Sequence, residues 1–195
     1  MTLPLEKRHY TVAEYLQMEE KAIDKHEYWE GEILAMSGGT YRHGTVSTNC
    51  LIALGIRLRG KPCRPLDANM RVRTSAGRYV YPDAQIVCGG PIFDPEDKNQ
   101  TTITNPSVVI EVLSPSTEDY DRVRKSDAYM LIESLKEYVL IDPRQPLAQT
   151  YNRQEDGSWR LDRYIDLNGT LKLRSLGLEI PMTEVYADVE FTTES

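Results

Sequence analysis

Two acids stand where packing alone gives them no reason to be. Glu111 lies inside the apolar run Val108-Val109-Ile110-Glu111-Val112-Leu113, and Asp83 follows Tyr79-Val80-Tyr81-Pro82 and precedes Ala84-Gln85-Ile86-Val87. A carboxylate in apolar surroundings must be paired, protonated or bound to a cation. If the two runs are neighbouring strands, Asp83 and Glu111 begin a divalent-cation site. Mg²⁺ takes oxygen ligands, typically one or two carboxylates, with water and substrate phosphate completing the shell. Such an ion stabilises charge developing on phosphate and lowers the pKa of an attacking water.

A lysine is the usual third part of such a site, placed two residues after the second acid. Here that position is Leu113, and the next lysine along the chain is Lys125. Asp121 and Lys125 are four apart and share a helix face, so an i,i+4 surface pair is the plain alternative for Lys125.

The elements that must carry these residues can be read from pattern. Thr11-Val12-Ala13-Glu14 has the form of a capping box and predicts a short helix to about Glu20. Glu27 to Met36 reads as a strand or a hairpin edge, with a turn at Gly31. The apolar residues Val46, Cys50, Leu51, Ala53, Leu54 and Leu58 fall at helical spacing over Gly44 to Leu58. Strands are expected over Asn69 to Thr74 and Tyr79 to Val87, and Cys88 to Asn105 reads as a long loop. Pro82 lacks a backbone donor and suits a strand end or bulge, which could aim Asp83 inward.

Ser107 to Leu113 has the near-continuous apolar character of a strand buried on both faces. A helix from Asp119 to about Leu135 and a strand at Tyr138-Val139-Leu140-Ile141 should follow, making a parallel crossover. Asp142-Pro143 reads as a strand stop. Later short strands flank Asp156-Gly157 and Asn168-Gly169, both read as hairpin turns, and Pro181 to Tyr186 as a closing helical turn.

Composition sets the frame. The 195 residues, 40% of them hydrophobic, support a single α/β domain over 1–195. No apolar run approaches the roughly 20 residues of a membrane span, and Met1 to Tyr10 lacks a signal-peptide core, so no membrane association and a cytoplasmic location are expected. The net charge of −7 argues against nonspecific nucleic-acid binding over the whole surface. Local basic stretches remain at Arg57 to Lys61, Arg71 to Arg73 and Arg122 to Lys125. The three cysteines, Cys50, Cys63 and Cys88, show no metal-ligand spacing and are expected to be reduced thiols.

Pro82-Asp83 followed by Glu111-Val112-Leu113 resembles the PD-(D/E)xK nuclease signature with its lysine displaced. A wider string is more specific: Tyr81-Pro82-Asp83, Asn105-Pro106, Glu111-Val112-Leu113-Ser114-Pro115-Ser116-Thr117, Tyr120-Asp121-Arg122, Lys125, Tyr129 and Glu137-Tyr138-Val139-Leu140-Ile141-Asp142-Pro143. With Glu27-Tyr28-Trp29-Glu30-Gly31-Glu32-Ile33, Met36-Ser37-Gly38 and His43, it resembles the Uma-two family of restriction-endonuclease-like proteins, from about Thr11 to Tyr186.

The resemblance implies a restriction-endonuclease-like core: a central mixed β-sheet flanked by helices, here with added antiparallel C-terminal strands. It implies a metal-dependent phosphodiesterase site in which Asp83 and Glu111 bind Mg²⁺ or Mn²⁺, and Lys125 replaces the strand lysine. Glu27 and His43 match family positions that line the site. The alternatives are a surface ion pair for Glu27 and a helix-start role for His43. Ser114 and Ser116 precede a helix, where free N–H groups could hold a phosphate or simply make a capped turn. Glu30 and Glu32 are expected to be solvated.

On this reading the chain is an endonuclease hydrolysing DNA phosphodiester bonds. The alternative is a noncatalytic binding or assembly module on the same fold. A symmetric homodimer, with contacts from the long loop, is a further expectation.

Overall fold

The computed structural model describes residues 8–36, 38–114 and 125–191. Helix α1 (Val12–Glu19) begins where the capping box puts it: Thr11 accepts the Glu14 N–H at 3.2 Å, and Glu14 accepts the Thr11 N–H at 2.8 Å. The expected hairpin follows as β1 (His26–Trp29) and β2 (Glu32–Ala35), with Trp29 opposite Glu32. Its turn takes positive φ at both Glu30 and Gly31, 50° and 95°, as a tight hairpin twisting with its strands requires.

Helix α2 (Tyr41–Leu58) buries Val46, Cys50, Ala53, Leu54 and Leu58, the stripe seen in the sequence. It starts earlier than that stripe because the Thr40 hydroxyl accepts the His43 N–H and caps it.

Beyond α2 the strands are β3 (Cys63–Asp67), β4 (Arg71–Arg73), β5 (Tyr79–Val80), β6 (Ala84–Cys88), β7 (Thr102–Ile103) and β8 (Val108–Val112). After α3 (Ser126–Met130) come β9 (Glu137–Asp142), β10 (Leu147–Arg153), β11 (Trp159–Tyr164), β12 (Thr170–Leu173), β13 (Leu178–Pro181) and α4 (Met182–Val185). The main sheet runs β11-β10-β9-β8-β6-β3, and a second runs β2-β1-β5-β4-β7. The main sheet is mixed: β8 and β9 are parallel, as the expected crossover requires, and its other pairs are antiparallel.

Period-two alternation sorts β8 between two cores. Val108, Ile110 and Val112 pack with α2, α4, β12 and β13 on one side. Val109 and Leu113 pack on the other with Trp29, Val72, Val80, Ile103, Ala128 and Tyr129. Glu111 shares the parity of Val109 and Leu113, and so lies on the face covered by the second sheet and α3.

Four expectations are corrected. The run Tyr79 to Val87 is two strands in two different sheets, β5 and β6. Pro82 cannot donate to a ladder, and the Tyr81 N–H goes to the Glu27 carboxylate instead. Cys63 and Cys88 are joined in a disulfide, because antiparallel β3 and β6 set them opposite one another with Cα atoms 4.0 Å apart. Only Cys50 is the buried free thiol expected of all three. Asn168-Gly169 does not close a hairpin on β11, since β12 pairs with β13 in a small sheet of its own. Finally, α3 ends at Met130, short of Leu135; its expected start at Asp119 lies outside the described residues.

No helix among the described residues is long and apolar enough to cross a membrane.

Candidate active site

The site forms where the two sheets diverge. Register places Ala84 opposite Ile110. One step further along the same antiparallel alignment is Asp83 facing Glu111, so both acids lie at one end of the β6–β8 pair. Asp83 Oδ2 accepts the Val112 N–H at 2.7 Å, which ties its carboxylate to the β8 backbone beside Glu111. Pro82 keeps the preceding segment out of the ladder, so the chain turns from one sheet to the other just before Asp83.

Glu27 comes to this point from β1. Its Oε1 accepts the Tyr81 N–H at 3.2 Å, and its Oε2 accepts the Trp29 indole N–H at 3.4 Å. The acid therefore holds the crossing segment Tyr81-Pro82-Asp83 in place as well as facing the site.

Lys125, immediately before α3, reaches between the acids. Its Nζ stands 2.9 Å from Glu27 Oε1 and 3.3 Å from Glu111 Oε1. Glu27, Glu111 and Lys125 are all nearly inaccessible, at 4%, 2% and 6% exposure. Burial this deep is tolerable because each charge has an opposite neighbour. The alternative partner expected for Lys125, Asp121, lies outside the described residues.

The Tyr129 hydroxyl donates to Glu111 Oε1 at 2.9 Å from within the core. Burial first, and then the Glu111 charge, push its phenol well above the ordinary tyrosine range, so it remains a donor at any physiological pH. Its ring packs against Tyr138 at 5.4 Å between centroids. Tyr129 and Lys125 both address the same oxygen of Glu111 and so fix the rotation of that carboxylate.

His43 lies on the more accessible side. Its Nε2 is 3.3 Å from Asp83 Oδ2, and both side chains keep 18% exposure. Its backbone N–H is also the one capped by Thr40, so the helix-start role and the site-facing position coexist. Cys50, deeper on α2, is pushed up to about 12 by burial and secondarily by the Asp83 charge, which leaves it an unreactive thiol.

The structure thus brings Glu27, Glu111 and Lys125 into one ion-paired group, with Asp83 and His43 beside it. In two of the basic stretches some arginines are paired, while Arg59 and Lys61 stay exposed. Arg57 makes two 2.8 Å bonds to Glu184; Arg71 and Arg73 pair with Asp97 and Asp94. Ser114 lies two residues past the end of β8, and Ser116 lies outside the described residues. Asp142 closes β9 by accepting from Arg144 and Gln145, as a strand stop should. The contacts of Tyr129 with Glu111 and of Trp29 with Glu27 were not foreseen. The spacing of Tyr129, four residues after Lys125 and hence on its helix face, was the available signal.

Among the described residues no group of three or more His, Cys, Asp and Glu side chains is placed to hold a metal ion. A hard divalent ion does not need three. Asp83 and Glu111 bring two carboxylates to one end of a strand pair, and an ion bound there would complete its shell with water and phosphate.

A family model described as "Putative restriction endonuclease" matches residues 12–183. Two proteins of Synechocystis sp., each called an uncharacterized protein, are similar over most of the chain. One, slr1290, is 34% identical over 180 residues, covering 91% of this chain and 92% of its own. The other, sll1609, is 32% identical over 163 residues, covering 83% and 91%. In fold, the chain matches the crystal structure of a "putative nuclease belonging to DUF820" from Anabaena variabilis. The TM-score is 0.73 at 16% identity, over 91% of this chain and 98% of that one.

Proposed function

The chain belongs to the Uma2 family of restriction-endonuclease-like proteins, and from that premise we propose that it is a divalent-metal-dependent endonuclease hydrolysing DNA phosphodiester bonds. The observation that carries the proposal is the position of Lys125. A lysine absent from the strand is supplied from the residue before α3, with its ammonium within 3.3 Å of Glu111 and 2.9 Å of Glu27.

In this reading Asp83 and Glu111 hold Mg²⁺ or Mn²⁺. The ion supplies positive charge for the phosphoryl oxygens and makes an attacking water more acidic. Lys125 adds a fixed positive charge at the edge of that site, where negative charge grows in the transition state. Glu27 orients the ammonium and balances its charge before substrate arrives. Tyr129 fixes the rotation of Glu111, the outer-shell role that usually tunes a metal ligand. His43, beside Asp83 and partly exposed, would pass a proton to or from the leaving oxygen.

The depth of the Glu27–Lys125–Glu111 group favours one second reading, a structural ion network on a noncatalytic module. Cleavage of supercoiled plasmid and single-stranded DNA with Mg²⁺ or Mn²⁺ separates the two. The nuclease reading requires activity in the purified chain that disappears in Asp83→Ala and Glu111→Ala. Equal cleavage by wild type and Asp83→Ala marks a contaminant and removes the assignment. Calorimetry with Mn²⁺ gives a second readout: a site lost in Glu111→Ala excludes the purely structural network.

A further inference from the structure

The two edges of the main sheet are built differently. At one edge, β3 carries Pro65 and is tied to its neighbour by the Cys63–Cys88 disulfide. At the other, β11 (Trp-Arg-Leu-Asp-Arg-Tyr) has no proline, glycine or lysine, and among the described residues it has no strand beyond it. The unpaired N–H and C=O groups of such an edge are a template for another strand, and the charges of β11 decide which strand fits.

The β10–β11 turn fixes which backbone groups of β11 face outward. Gln154 donates its N–H to the Ser158 carbonyl at 2.8 Å, and its carbonyl accepts the Gly157 N–H at 3.0 Å. Ser158 is therefore turned toward β10. Alternation then turns the backbone groups of Arg160, Asp162 and Tyr164 toward β10, and those of Trp159, Leu161 and Arg163 toward the open edge. Leu161 is 45% exposed and the neighbouring Ile165 71%.

We propose that this edge binds a second copy of the same chain, antiparallel, with Leu161 on the two-fold axis. In that register Leu161 meets Leu161 of the second copy, Arg160 faces the second copy's Asp162, and Trp159 faces the second copy's Arg163. The outward backbone groups of Trp159, Leu161 and Arg163 then pair with one another across the axis.

Charge selects this register over its neighbours. An axis at Arg160 sets arginine against arginine, an axis at Asp162 sets aspartate against aspartate, and an axis at Arg163 again opposes two arginines. Like charges directly opposite on a strand pair are destabilising, and opposite ones stabilising. Within one chain Asp162 is already held by Arg160 at 3.2 Å and by Arg174 at 3.0 Å, so its carboxylate is set before the second copy arrives. The two main sheets become one continuous sheet, closed by a two-fold axis that leaves no further copy of this edge to bind.

Sedimentation velocity of the full chain tests this. The wild type is expected to be dimeric at micromolar concentration. R160D sets two aspartates against each other and D162R two arginines, so each alone should raise the dimer dissociation constant at least about tenfold. Mixed in equal amounts, the two variants restore opposite charges at both positions and should form a heterodimer. Leu161→Cys should cross-link between copies on oxidation, whereas Arg163→Cys should not. A wild type that stays monomeric, a dimer indifferent to both charge reversals, or a mixture that fails to associate overturns the proposal. None of these readouts depends on DNA cleavage.

Discussion

The ammonium of Lys125 lies 2.9 Å from the Glu27 carboxylate, and both side chains are buried. They come from distant parts of the chain, a hairpin near its start and the segment leading into α3. Breaking a buried pair by removing one member leaves an uncompensated charge and typically costs about 3–5 kcal/mol. Lys125→Met is therefore expected to lose roughly that much in urea denaturation and to lower DNA cleavage at least about 100-fold. Adding Glu27→Gln to Lys125→Met should recover part of the stability and none of the activity, and a double-mutant cycle measures that coupling.

Tyr129→Phe removes one hydroxyl and keeps the ring on Tyr138. The stability loss should be small, about 1 kcal/mol for a single buried hydrogen bond. Metal affinity should fall further, about 10-fold or more, as loss of a ligand's outer-shell partner usually causes. Mn²⁺ calorimetry on the variant checks this. Unchanged affinity would leave Tyr129 with a packing role alone.

Asp97 gives the fold an acid limit. Burial pushes its pKa upward, but hydrogen bonds from Thr102, Thr101 and the Asn99 N–H, with the Arg71 charge, outweigh burial and hold it below the ordinary value of 3.8. A carboxyl lowered by folding adds stability above its unfolded pKa and loses it as pH falls through the folded one. The native state should therefore weaken below about pH 4. Urea midpoints measured from pH 7 down to acid should show a shallower decline in Asp97→Asn than in wild type.

The Cys63–Cys88 bridge closes a loop with a sequence separation of 25. Constraining an unfolded chain over such a loop is worth about 3 kcal/mol. Denaturation with and without reductant, and of Cys63→Ser with Cys88→Ser, should differ from the oxidised wild type by about that amount. Cys50→Ser serves as the control that leaves the bridge intact.

Much of the frame was legible in the chain because local chemistry decides it. The Thr11 capping box, the turn at Gly31, the stripe of α2 and the doubly buried β8 each depend on a few neighbouring residues, and each formed as its pattern implied. Features set by distant partners were harder. The break at Pro82 between two sheets depends on Glu27 taking the Tyr81 N–H. Strand β3 went unrecognised because Pro65 interrupts its pattern, and without β3 nothing brought Cys63 to Cys88. The acids of the site were legible as buried charges in need of partners. That Lys125 would be shared by Glu27 and Glu111 follows only once β1, β8 and α3 meet.

The chain has two tryptophans, and each marks a different question. The Trp29 indole donates to Glu27 and lies under the Arg78 guanidinium, 4.8 Å from its ring centroid. Trp159 begins the open edge strand, beneath Arg153 at 4.6 Å. Trp159→Phe leaves one tryptophan, beside Glu27 at the candidate site, and Trp29→Phe leaves one on the edge proposed to pair with a second copy. The molecule carries two native tryptophan reporters, so the proposed ion binding and the proposed pairing of copies would each have a signal of its own in solution without a dye.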